Sequence, residues 1–146
     1  MNKQMILSQL DRSYRKLLDA LEIPSSDPLA IDGTIHRFEF TYEIACETVN
    51  QFFKENLLSM RSGNGLKDAL SQGLIDNRET WRKLMTLKNQ TAFSFSEPLA
   101  REIYDNIRKN HYVFDVLIDN CRRMSVRNAP AEKRPGWISR ANARTI

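Results

Sequence analysis

Residues 31–53 read IDGTIHRFEFTYEIACETVNQFF. Their apolar members step through Ile31, Ile35, Phe38, Tyr42, Ala45, Val49 and Phe52, alternately four and three residues apart. An α-helix turns once in about 3.6 residues, so this spacing gathers the set onto one stripe of a helix. A half-buried strand would need alternation at every second residue, and that pattern is absent. Phe40, Ile44 and Phe53 fall off the stripe and add a second apolar surface. A helix buried in a lone bundle has no need of one, so this face is expected to meet a partner.

The same period extends outward from this segment. Upstream, Leu7, Leu10, Tyr14, Leu17 and Leu21 repeat the three-and-four spacing. Between the two stretches lies IPSSDP, residues 23–28. Pro24 should end the first helix, and Pro28 suits the first turn of the next. Downstream, RSGNG at residues 61–65 reads as a turn, and LKDALSQGL at 66–74 as a short helix with Gly73 near its end. Asp76 and Glu79 have the spacing of a capping box ahead of a helix through Trp81, Leu84, Met85 and Leu87. Ser96, followed by Pro98, should cap a last long helix whose apolar side is Leu99, Ile103, Ile107, Phe114, Leu117 and Cys121. Four long helices and one short one predict an all-α chain, an up-and-down four-helix bundle with one short extra helix.

Composition supports one soluble domain. The 146 residues are 41% hydrophobic and 27% charged, with two cysteines 75 positions apart. A chain of this length buries enough surface to fold without a metal or a disulfide. No apolar run approaches the roughly 20 residues of a membrane span, and MNKQMILSQLDRSYRK lacks a signal-peptide core, so a cytoplasmic location away from any membrane is expected. Charge is distributed unevenly. Arg122, Arg123, Arg127, Lys133, Arg134, Arg140 and Arg144 follow Cys121 with only Glu132 against them. The last 26 residues therefore carry +6 and residues 1–120 carry −2, which combine to the net +4. The expected division is a helical domain at residues 1–125 and a basic, disordered tail at 126–146.

Catalytic chemistry is largely excluded by the motifs. RSGNG is followed by no Gly-Lys-Ser/Thr, so it is no phosphate loop. No Glu-x-x-His pair occurs, two histidines supply too few ligands for a metal centre, and no cofactor is expected. Cys46 and Cys121 read as small buried apolar residues. His111 reads as a solvated or helix-face side chain, and His36 as one that pairs with Glu39 or a neighbouring helix.

Residues 32–53, with the run Arg37, Phe38, Glu39, Phe40, Thr41, Tyr42, Glu43, Ile44, resemble the second helix of the nucleotidyltransferase substrate-binding family. A second stretch, ALSQGLIDNRETWRKLMTLKNQTAFSFSEPLAREIYDNI at residues 69–107, resembles that family's order of elements. These are a short helix, a Gly-Leu-Ile-Asp turn, a Trp-containing helix, an Arg-Asn-x-x-x-His-x-Tyr motif and an Ile-Tyr helix. The similarity spans about residues 3–120. It implies a HEPN-like bundle, likewise dimeric, that pairs with a small nucleotidyltransferase. His36, Arg37, Glu39, Phe40, Tyr42, Glu43, Lys88 and Asn89 are the binding and interface candidates that follow.

In active HEPN toxins, as the resemblance implies, the motif's Arg and His form an RNA-cleaving site across a dimer interface. The matching positions here are Lys88 and Phe93, with Asn89 retained, and the motif's Tyr is Phe95. Lys88 keeps a charge but not the planar fork that grips phosphate with two bonds. Phe93 can neither give nor take a proton, which removes an acid–base contribution of about 10²–10⁴-fold. A non-catalytic adaptor in a toxin–antitoxin-like pair is the leading expectation. The alternatives are a residual ribonuclease using His36 with Lys88, and a dimer that binds RNA or nucleotide through the basic tail.

Overall fold

A computed structural model of the chain describes residues 2–52, 63–93 and 96–127. Six α-helices follow one another within these residues: α1 (Lys3–Glu22), α2 (Pro28–Phe52), α3 (Gly63–Ser71), α4 (Arg78–Gln90), α5 (Glu97–Asn110) and α6 (Tyr112–Arg127). A single 3₁₀ turn, Thr91–Phe93, closes α4. Among the described residues there is no strand, and no helix is long and apolar enough to cross a membrane.

Local chemistry explains the boundaries. Asn2 caps α1 by accepting from the Met5 amide at 2.8 Å, and the helix stops before Pro24. Pro28 is the first residue of α2, where its missing N–H costs nothing, and the Asp27 carboxylate accepts from the Leu29 amide at 2.9 Å. After α3, Gly73 takes a φ of 78°, a left-handed conformation that glycine adopts without a Cβ clash. The Leu74 amide then donates to Ala69 and the Gly73 amide to Leu70, the two bonds of a Schellman turn.

Three expectations about the elements are corrected. The cap of α4 is Asn77, which accepts from the Thr80 amide at 3.2 Å. Asp76 stands one residue too early for that role, and its carboxylate instead meets Asn120 of α6 at 3.4 Å. Gly63, Asn64 and Gly65 of RSGNG open α3 rather than forming a free turn, while Arg61 and Ser62 lie outside the described residues. The last long helix is interrupted at His111, where the Phe114 amide bonds back to the His111 carbonyl in a tight three-residue step. The Asn110 side chain bonds the Asn106 carbonyl at 2.8 Å at this point, competing with the helix ladder. Ser96 does occupy the cap position of α5, but its side chain makes no capping hydrogen bond.

The four long members pack as an up-and-down bundle, with α5 and α6 sharing the fourth place and α3 as the short addition. The α2 helix is central, lying along α1 and touching α4, α5 and α6. Phe114, wholly buried, joins three of these helices: its ring lies 5.9 Å from Tyr14 of α1, 6.2 Å from Phe38 of α2, and edge-on to Trp81 of α4 at 5.7 Å. Such tilted and edge-to-face pairs add attraction beyond burial alone. Thr34, Thr41 and Thr48, seven residues apart on α2, are also wholly buried. The Thr41 hydroxyl meets Ser13 of α1 at 2.7 Å and donates to the Arg37 carbonyl. Cys46 and Cys121 are both buried free thiols, and burial pushes the Cys121 thiol up to about 12, away from reactivity.

Candidate functional site

The stripe of α2 that faces away from the core carries His36, Phe40, Glu43 and Ile44. His36, Phe40 and Glu43 are exposed and Ile44 is partly so. Phe40 has 60% of its surface open to solvent, which is unusual for a phenylalanine on a central bundle helix. The stripe is flanked on one side by α1 and on the other by the end of α4.

On the α4 side, Lys88 Nζ lies 3.3 Å from Glu43 Oε1. The lysine side chain is only 25% exposed, so its ammonium is held against α2 rather than extended into solvent. One turn further on, Phe93 ends the 3₁₀ turn with 60% of its surface exposed. Thr91, buried in the same turn, donates its hydroxyl to the Lys88 carbonyl at 2.7 Å and fixes the backbone leading to Phe93. Asn89 is exposed. The Phe93 ring has no group that can give or take a proton.

On the α1 side, a groove of about 470 Å³ runs between α1 and α2, lined by Arg12, Lys16, His36, Arg37, Phe40 and Ile44. Arg37 is half-buried and donates from Nη1 to the Lys16 carbonyl at 2.6 Å, which anchors its guanidinium across the two helices. Arg12 and Lys16 stand one turn apart on the exposed side of α1. These two were not among the expected site residues. Their spacing marks only a polar helix face, and the groove exists because α1 lies against α2.

Other expected residues are placed differently. Tyr42 is 2% exposed and packs its ring against Phe38 and Trp81, at 6.1 and 6.5 Å. It is a core residue and presents no binding surface. Glu39 is half-exposed on α2. Arg122 and Arg123 belong to α6 rather than to a tail, and pair with Asp11 at 3.5 Å and Asp119 at 2.7 Å. Arg127 is the final residue of that helix. Phe53, Phe95, Lys133, Arg134, Arg140 and Arg144 lie outside the described residues. No three His, Cys, Asp or Glu side chains converge as metal ligands among the described residues.

A second polar cluster sits at the helix break. His111 is half-buried, with Nδ1 2.9 Å from the Tyr14 hydroxyl. Burial, and then the Arg108 charge, hold its imidazole below the usual value of 6.5. Burial, and then the Asp115 charge, push the Tyr14 phenol up to about 12. Arg108 itself donates to the Leu21 carbonyl at 2.8 Å, and with it closes the C-terminal end of α1. The Tyr14–His111 and Arg108–Leu21 bonds join α1 to the α5–α6 junction.

Comparison with known proteins adds one positive finding. Residues 5–121 match the family described as "Nucleotidyltransferase substrate binding protein like". No curated protein matches the chain.

Proposed function

The chain belongs to the nucleotidyltransferase substrate binding protein like family, and on that premise we propose that it is the non-catalytic partner of a small nucleotidyltransferase. The outward face of α2 and the end of α4 form its docking surface. The observation that carries this reading is the pair of groups at the motif positions. Lys88 is engaged with Glu43, and Phe93 offers an exposed ring where proton transfer would need an imidazole. Phe40, Ile44 and Phe93 supply the apolar contact, with Glu43, Lys88 and Asn89 as polar contacts around them. As the family resemblance implies, the working unit is a homodimer bound to its nucleotidyltransferase, a cytoplasmic module of the toxin–antitoxin type. The binding domain runs through the end of α6 at Arg127.

The ribonuclease alternative is disfavoured by placement. His36 and Glu43, the partner of Lys88, are seven residues apart on α2, which is about 10 Å along a helix at 1.5 Å per residue. Within one copy the imidazole therefore stands about two helical turns from the Lys88–Glu43 pair.

Two measurements test the proposal. A small nucleotidyltransferase encoded beside this chain should co-purify with it, and Phe40→Asp together with Phe93→Asp should weaken the complex at least tenfold. The purified chain should leave RNA intact, and His36→Ala should not alter that result. Reproducible cleavage abolished by His36→Ala would overturn the non-catalytic reading.

A further inference from the structure

Arg12, Lys16 and Arg37 line one groove with His36, and no carboxylate lies among the residues lining it. Several other described cations are paired with acids: Arg15 and Arg122 meet Asp11, Arg123 meets Asp119, and Lys88 meets Glu43. Among the described residues, Arg12, Lys16 and Arg37 have no carboxylate within ion-pair distance. The grouping is not a by-product of a basic body, because residues 1–120 carry −2. Three like charges gathered at one groove repel one another and leave a positive potential that favours an anion there.

The groove is organised before a ligand arrives. Arg37 is fixed by its 2.6 Å bond to the Lys16 carbonyl, and its remaining N–H groups are left for another acceptor. A guanidinium held in this way loses little freedom on gripping a phosphate, and a neighbouring ammonium adds a point charge. The groove also carries apolar groups, the exposed Phe40 ring and Ile44. Its volume of about 470 Å³ is within the range of small-molecule sites.

We propose that the groove between α1 and α2 binds a phosphate-bearing small ligand. Arg12, Lys16 and Arg37 hold the phosphate, and Phe40 and Ile44 support the ligand's apolar or aromatic body. This site shares Phe40 and Ile44 with the proposed docking surface, while its cations Arg12, Lys16 and Arg37 lie outside that surface.

The test uses the full chain at low ionic strength, where exposed charges are least screened. Inorganic pyrophosphate, a sugar phosphate, a nucleoside triphosphate and a 5′-phosphorylated oligoribonucleotide are each titrated by calorimetry. At least one should bind, and Arg12→Glu combined with Lys16→Glu should weaken it tenfold or more while the helical circular dichroism is unchanged. Lys83→Glu, on the exposed side of α4, should leave binding as it was. Phe40→Ala should weaken the nucleoside triphosphate more than pyrophosphate, and the ranking of the four probes identifies the source of the phosphate. Three results would each overturn the proposal: no probe binds, the double variant binds as the parent does, or Lys83→Glu weakens binding as much as the double variant.

Discussion

His111 stands where α5 gives way to α6, half-buried and facing the Tyr14 hydroxyl. A neutral ring accepts at Nδ1 from the phenol, whereas a protonated one brings a charge into a half-buried site already beside Arg108. With its pKa lowered in the folded chain, His111 binds fewer protons there than when unfolded. Its contribution to stability is therefore full above the ordinary value of 6.5 and is lost as pH falls through the lowered folded value. Urea midpoints measured at pH 7.5 and 5.5 should drop on acidification by more in the parent than in His111→Gln. An equal drop in both would show that carboxylates alone set the acid sensitivity. Lys88 illustrates the same dependence on surroundings. As a sequence position it is a weakened phosphate contact, but in the fold its ammonium is held by Glu43 and serves as a tie between α4 and α2.

The helices differ in how firmly their ends are set. Asn77 makes the capping bond of α4, while Asp76 and Ser96 make none to their helices. Asn77→Ala should therefore destabilise the chain by about 1 kcal/mol, the usual worth of such a cap. Ser96→Ala should change stability by less than about 0.5 kcal/mol, and both values are readable from urea unfolding. If the two substitutions cost the same, the cap assignment is wrong. The tight step at His111 separates α5 from α6 without moving the apolar register. Ile103 and Ile107 before it, and Phe114 and Leu117 after it, all remain wholly buried.

Every buried residue of the described core lies between Ile6 and Met124. Truncation after Arg127 should consequently leave one cooperative thermal transition, with a midpoint within about 2–4 °C of the full chain, the shift that 1 kcal/mol produces at this size. A much larger loss would place residues 128–146 in the fold. Because those residues hold half of the +6 carried beyond Cys121, the same truncation should abolish low-salt binding of long RNA if the tail is its grip. Retained binding would move the RNA contact onto the bundle. The net charge of +4 thus divides into a helical body, residues 1–127, at +1 and the stretch beyond it at +3.

Periodicity was sufficient for the helices and the core stripe of α2, because each is a pattern of neighbours along one chain. Leu10, Leu17, Phe38, Leu84, Ile103 and Phe114 are buried where the three-and-four spacing puts them. The exposed Phe40 was readable in the same way, as an apolar residue off the stripe. Cap identity was ambiguous by one residue at Asp76 and Asn77, since both side chains can accept from an amide and backbone geometry selects between them. The helix break at His111 depended on contacts with α1 that no local spacing records. The groove was the least accessible to sequence reading. Arg12 and Lys16 on one helix meet His36 and Arg37 on another only after α1 has packed along α2, so the concentration of charge arises from folding, not from any run of basic residues.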